Sequence, residues 1–122
     1  MNNIIQWNCR GLKVNFIEIT LLVEAFLPIA FCLQETHLKK RDNINLKIYS
    51  VYSTYMYVDE DERAVGGSTI VVQDNILHSY VNLNTDLQAV AVRITIGKTI
   101  TLCSVYIPPH SSLSFNSTQK FI

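Results

Sequence analysis

The sequence predicts an α/β fold in which a sheet is covered on both of its faces, and two observations carry that prediction. The first 34 residues read as strand, helix, strand, a βαβ unit whose crossover is almost always right-handed and whose two strands lie parallel. Further on, Leu87 to Ile96 has no strongly polar face: positions 88, 90, 92, 94 and 96 are Gln, Val, Val, Ile and Ile, and positions 87, 89, 91, 93 and 95 are Leu, Ala, Ala, Arg and Thr. A strand of that kind is packed on both sides, by helices on one and another layer on the other.

Taken in order, Ile4 to Cys9 is apolar and aromatic, bounded by Asn2-Asn3 and Arg10-Gly11, and reads as a short strand with Asn8 at its carboxyl end. A helix follows, with Asn15 as N-cap and Glu18 three residues on in a loose capping box. Phe16, Ile19, Val23 and Phe26 form one apolar stripe that should lie on the sheet, until Pro28 ends the helix. Ile29 to Gln34 is a continuous apolar run of strand length, closed abruptly by Glu35. Lys39-Lys40-Arg41 is a basic loop, of the kind that is usually a solvated face and can also meet phosphate. Tyr49 to Tyr57 is a strand rich in Tyr, Val and Thr, whose tyrosines read as sheet residues before base-stacking ones.

Asp59-Glu60-Asp61-Glu62 resembles a carboxylate metal site, but consecutive residues cannot all face one ion, so it reads as an exposed loop. Arg63 is a secondary candidate for phosphate contact. Gly66-Gly67 permits a bulge or a close backbone approach just before the strand Ser68 to Gln73. Ile76 to Asn82, Leu87 to Ile96 and Thr99 to Ile107 complete the strands, the last two joined by a two-residue Gly97-Lys98 hairpin. Beyond Pro108-Pro109 the chain turns polar, and Ser111 to Ile122 is weakly helical at best.

The 122 residues are the size of one domain and contain no internal repeat or linker, so the expectation is a single unit over residues 1–122. Charged residues make up 16% against a typical ~25%, and mean hydropathy is +0.18, so there is little polar surface to cover an independent globule. Formal net charge is zero, so any nucleic-acid contact must come from local groups and not from an overall basic field. Cys9, Cys32 and Cys103 lack metal-ligand spacing and sit in apolar runs, which reads as three reduced core residues of an intracellular protein. No secretory signal is visible at Met1-Asn2-Asn3, and the stretch from Leu21 to Leu33 is interrupted by Glu24 and Pro28, so no membrane partner is expected. His37, His78 and His110 read as surface residues.

The chemistry concentrates at the strand ends. Glu35 is a hard oxygen ligand placed where a sheet opens to solvent, and Asn8 shares its rim if the two parallel strands share a sheet. Alone, either residue reads equally as a solvated carboxylate or a turn former. Asn8 has an amide that can orient the carboxylate or bind a metal-held water, and Tyr106, expected on the same rim at the end of a last strand parallel to the first two, a phenol that can donate to a phosphate oxygen. Phosphodiester hydrolysis also needs a base to activate water, and none is assigned.

Gln6-Trp7-Asn8-Cys9-Arg10-Gly11-Leu12, Leu33-Gln34-Glu35-Thr36-His37, Gly66-Gly67 before a strand, and Tyr106-Ile107-Pro108-Pro109 occur in one order along the chain. Together they resemble the first half of the endonuclease/exonuclease/phosphatase (DNase I-like, apurinic-type) superfamily, and within it the endonuclease domain of jockey-like non-LTR retrotransposons. The resemblance implies a four-layer α/β/β/α sandwich of which only the N-terminal half is present. It implies that Asn8 supports the site and its metal, that Glu35 binds Mg²⁺ (or Mn²⁺), and that Tyr106 contacts the scissile phosphate. The implied activity of the intact parent is nicking of DNA to leave a 3′-hydroxyl that primes reverse transcription. A reverse transcriptase is then expected in the same polyprotein, in the nucleus or cytoplasm. Alternatives are a phosphatase or phosphodiesterase of the same superfamily, and an inactive remnant acting at most as a binding module. The superfamily's later motifs, Gly-Asp-Phe-Asn and Ser-Asp-His, have no counterpart here. The chain is therefore expected to be inactive alone and to have lost a facing sheet, as a truncated product, a degenerate copy or an incomplete gene model.

Overall fold

Alternation along the strands decides how the chain layers, because the two central strands of the first sheet have two apolar faces with different partners. The structure, a computed structural model, describes residues 3–55 and 66–107. Strands β1 (Ile4–Asn8), β2 (Ala30–Gln34), β3 (Tyr49–Ser53) and β4 (Ser68–Gln73) form one sheet in the order β1-β2-β4-β3, and the helix α1 (Phe16–Phe26) connects the first two. β1 and β2 run parallel, in register from Ile4 opposite Ala30 to Asn8 opposite Gln34, while β4 is antiparallel to both of its neighbours. Strands β5 (Leu77–Val81), β6 (Gln88–Ile96) and β7 (Lys98–Tyr106) form a second, antiparallel sheet.

One face of β2 and β4 carries Phe31, Leu33 and Val71, which meet Ile19 and Val23 of α1 together with Leu12 and Leu38. The opposite face carries Ala30, Cys32, Ile70 and Val72, which meet Val90, Val92 and Ile94 of β6. Each of these side chains is nearly sealed from solvent, and burying a Val, Leu, Ile or Phe contributes about 1.5–3 kcal/mol. The chain is thus α/β with three layers among the described residues, helix, sheet and sheet.

The facing sheet expected to be missing is therefore present, built from β5, β6 and β7. Its outer face shows why β6 looked apolar on both sides. Ala89 and Ala91 are buried there by their small size beside Val105, Cys103 and Val81, whereas Arg93 and Thr95 are exposed. Cys103, expected in the core, is exposed on that outer face.

Local chemistry departs from expectation at two more places. Asn15 precedes α1 with a backbone (φ −105°, ψ 22°) that carries its side chain away from the first helical N–H groups. Its amide instead donates to the carbonyls of Cys9 (2.7 Å) and Gly11 (3.2 Å), tying the helix start to the loop after β1. The β6–β7 turn is centred on Gly97 alone, between paired Ile96 and Lys98, because the register pairs Thr95 with Thr99 and leaves an odd number of residues in the loop. At its other end α1 stops in a left-handed Leu27 (φ 43°) whose N–H reaches the Val23 carbonyl, and Pro28 prevents continuation.

His78, expected at the surface, is half-buried: its Nδ1–H donates to the Ile76 carbonyl, so its Nε2 accepts from the Tyr52 hydroxyl at 2.8 Å. No helix among the described residues is long and apolar enough to cross a membrane. The expectations for Tyr57, the 59–62 acidic run, Arg63, Pro108-Pro109, His110 and the tail from Ser111 lie outside the described residues.

Burial of Cys32 between the sheets, and then the nearby Cys103, push its thiol from 9.0 up to about 11. A raised pKa in the folded state means that the unfolded chain ionises first, so the native state loses stability as pH climbs from about 9 to 11. The loss over that window is on the order of 2–3 kcal/mol. Urea melts at pH 8 and pH 10.5 should show it, and Cys32→Ala should flatten that part of the profile while lowering stability at pH 8.

Candidate active site

The site grows from the way β2 ends. Gln34 is the last residue paired across β1 and β2, and the next residue, Glu35, adopts a left-handed backbone (φ 52°), as does His37 (φ 54°). Left-handed backbone is disfavoured for side chains with a Cβ, by roughly 1–2 kcal/mol per residue, so neighbours must hold it. They do so on both sides. Gly11 and Leu12 donate to the carbonyls of Glu35 (2.7 Å) and Thr36 (2.9 Å), and His37 N–H donates to the Gly66 carbonyl (2.8 Å). The turn carrying Glu35 is clamped between the loop after β1 and the glycines before β4.

The second sheet closes the site from the facing side. Tyr106, the last residue of β7, points inward with Ser104, Leu102 and Ile100, and its phenol faces the Glu35 carboxylate. Burial, and then the charge of Glu35 that its hydroxyl faces, raise the Tyr106 phenol above its ordinary value, so it remains a donor through the physiological range. Tyr106 was expected at the rim of the same sheet as Glu35, on a strand parallel to β2. It belongs instead to the antiparallel facing sheet and reaches Glu35 across the interior.

Asn8 ends β1 on the same rim, opposite Gln34, with its side chain exposed. The structure thus brings Glu35 and Tyr106 into contact and puts Asn8 at the neighbouring strand end. Gly66 packs against the Tyr106 ring so closely that an added Cβ would stand 2.8 Å from Cε2.

A polar chain that the sequence did not single out underlies these residues. Gln6 donates to the Gln34 side-chain oxygen, Gln34 Nε2 donates to Ser104 Oγ (2.8 Å), and Ser104 Oγ donates to the Leu33 carbonyl (3.1 Å). Ser68 Oγ donates to the Gln88 carbonyl (2.9 Å), and the Gln88 side chain accepts from Gly67 N–H. The signal for them was available: Gln34 and Ser104 are small or polar interruptions at the ends of otherwise apolar strands, and a polar residue there needs a partner.

The donors fit a Mg²⁺ ion in chemistry. Glu35 offers a hard carboxylate and Asn8 a hard amide oxygen, and Mg²⁺ commonly takes one or two carboxylates while keeping several waters. Among the described residues no group of three or more His, Cys, Asp or Glu side chains gathers to complete a protein cage.

By sequence, no family model and no curated protein matches the chain. By structure, it is similar to the endonuclease domain of TRAS1, a telomere-specific non-LTR retrotransposon, with a TM-score of 0.68 at 19% identity over 91% of this chain and 48% of that one. It is also similar to the 3′ phosphatase NExo (D146N) from Neisseria bound to a product DNA hairpin, with a TM-score of 0.52 at 18% identity over 84% of this chain and 40% of that one. The chain spans about half the length of these structures or less. Its helix, mixed sheet and facing antiparallel sheet have a DNase I-like fold.

Proposed function

We propose that this chain is the metal-carboxylate half of a DNA-nicking endonuclease domain of the non-LTR retrotransposon kind. The observation that carries the reading is the Glu35–Tyr106 pair, a carboxylate locked at a strand end and faced across the sandwich by a buried phenol. In the intact domain Glu35 would hold Mg²⁺, with Asn8 on the adjacent strand end orienting the carboxylate or a metal-held water. The ion, when bound, supplies charge neutralisation for a phosphodiester group.

The chain's own residues do the rest of this half of the chemistry. Glu35 is fixed before substrate arrives, because its backbone is held by bonds from both flanking loops, so little reorganisation accompanies reaction. Tyr106, kept protonated, can turn its hydroxyl from Glu35 to a non-bridging phosphate oxygen and donate there. The Gln6–Gln34–Ser104 chain fixes the spacing of the two sheets beneath the pair. A base that activates water would come from the remainder of such a domain, since the matched structures are about twice as long or more.

A phosphatase reading keeps the same residues, and the similarity to NExo favours carrying it as the second. One assay separates the two. The intact domain should convert supercoiled plasmid to nicked circles with Mg²⁺, lose that activity with chelator, and release no phosphate from a 3′-phosphorylated oligonucleotide. Phosphate release without nicking would establish the second reading in place of the first.

A further inference from the structure

Only one face of α1 is used by the fold. Ile19 and Val23 are buried against the first sheet, with Phe16 and Leu22 partly buried beside them. On the side away from the sheet, Ile17, Leu21 and Ala25 follow one another at four-residue spacing, and all three are exposed, Ile17 by 73% and Leu21 by 59%. Side chains four residues apart line up along a helix, so the three form one apolar stripe. A single exposed leucine needs no explanation, whereas an aligned set rimmed by charge marks a contact surface.

Two carboxylates border the stripe. At about 100° per residue, Glu18 and Glu24 stand about 60° to either side of Leu21, and both are exposed. Neither makes an ion pair among the described residues. The helix contains no lysine or arginine, and Lys13 just before it is paired with Asp42. The outer face of α1 is therefore apolar along its middle and negative along both margins.

We infer that this face docks a short amphipathic helix of a partner protein, whose own apolar stripe is flanked by lysine or arginine. The inference is independent of the reading of Glu35. Apolar anchors at helical spacing are what such a helix engages, and the charged margins choose among candidates, since opposite charges orient a partner and like charges exclude it. A second copy of this chain fits badly. In a two-fold antiparallel packing centred on Leu21, Glu18 of each copy would lie over Glu24 of the other, because both stand three residues from the centre. The same carboxylates oppose an anionic membrane surface, where interfacial helices carry Lys and Arg. Size points to a short segment. The 11-residue helix is about 16 Å long and ~10 Å wide, so its face presents on the order of a few hundred Å², below the ~800 Å² per partner of a standard interface.

The test is the binding of two fluorescein-labelled synthetic helices to the 122-residue chain, followed by fluorescence anisotropy at low salt. Both are about 15 residues long with blocked ends and carry leucines at four-residue spacing, flanked by lysines in one and by glutamates in the other. The lysine-flanked helix should bind, and the glutamate-flanked one at least about tenfold more weakly, through attraction lost and repulsion gained at two exposed charges. Leu21→Asp should weaken binding of the lysine-flanked helix by at least about tenfold, as loss of a central apolar anchor does. Glu18→Lys combined with Glu24→Lys should invert the preference between the two helices, a result that loss of fold cannot imitate. Circular dichroism of each variant checks that α1 persists.

Equal binding of the two helices would overturn the inference, as would no binding of either, or undiminished binding of the lysine-flanked helix to Leu21→Asp. A dimer of the unsubstituted chain in sedimentation, made monomeric by Leu21→Asp, would assign the face to a second copy and overturn it as well.

Discussion

Glu35→Gln in the intact domain should lower Mg²⁺-dependent nicking by roughly 10³-fold while leaving the cooperative melt in place. The size follows from charge. A glutamine has the length and planarity of glutamate and can still face the Tyr106 phenol, but its neutral oxygen is a poor ligand for a hard cation. Several kcal/mol of charge stabilisation are then missing, at about 1.4 kcal/mol per factor of ten. The fold is spared because Glu35 belongs to neither apolar core, and its left-handed backbone is imposed by bonds to its carbonyl and to the carbonyl of Thr36, not to its side chain. Plasmid nicking over a Mg²⁺ series, with a thermal melt alongside, measures both. Nicking at the unsubstituted rate would remove Glu35 from the metal site.

Gly66→Ala should be the most damaging single-methyl change near the site, destabilising by about 2–5 kcal/mol. Two costs add. Gly66 sits at φ 81°, where a Cβ costs roughly 1–2 kcal/mol. The new methyl would also stand 2.5 Å from Gln88 Oε1 and 2.8 Å from the Tyr106 ring, an overpacking worth roughly 1–3 kcal/mol. Gly97→Ala is the built-in control, since Gly97 has a similar φ of 84° with nothing within 4 Å. Both variants should melt earlier, and Gly66→Ala should melt lower than Gly97→Ala by the packing cost. Equal melting temperatures would show that the Tyr106 ring yields freely. If it does not yield, Gly66→Ala should also impair nicking in the intact domain, and Gly97→Ala should not.

What was legible in the sequence divides along a physical line. The parallel pairing of β1 and β2 follows from local pattern, because a strand, an amphipathic helix and an apolar strand in some thirty residues admit one handed connection. The position of Glu35 at a strand end was legible for the same reason. The partner of a strand was not. Alternation along β7 says which residues share a face, but not which sheet that face meets, so the antiparallel placement of Tyr106 escaped the pattern.

The expectation of a lost facing sheet failed similarly. The two apolar faces of β6 were read as two coverings, whereas Ala89 and Ala91 are sheltered by their own small size. The polar chain through Gln34 and Ser104 depends on residues 70 apart, beyond any local window. Asn15 had the right residue type for a cap, but its backbone conformation directs the amide to Cys9 and Gly11 instead.

The contact between Ser104 and the Leu33 carbonyl joins residues 71 apart, and Glu35 and Tyr106 are just as far apart along the chain. At synthesis rates of about 5–20 residues per second, β7 leaves the ribosome roughly 4–14 s after β2. Until β6 emerges, shortly before β7, the inner face of β2 has no second sheet to meet, and Cys32 and Ala30 stand open to solvent or to chaperones. The pair therefore cannot assemble until β7 has been made. A ribosome stalled before Ser104 should display a protease-sensitive βαβ unit with the carboxylate already made and its phenol not yet translated.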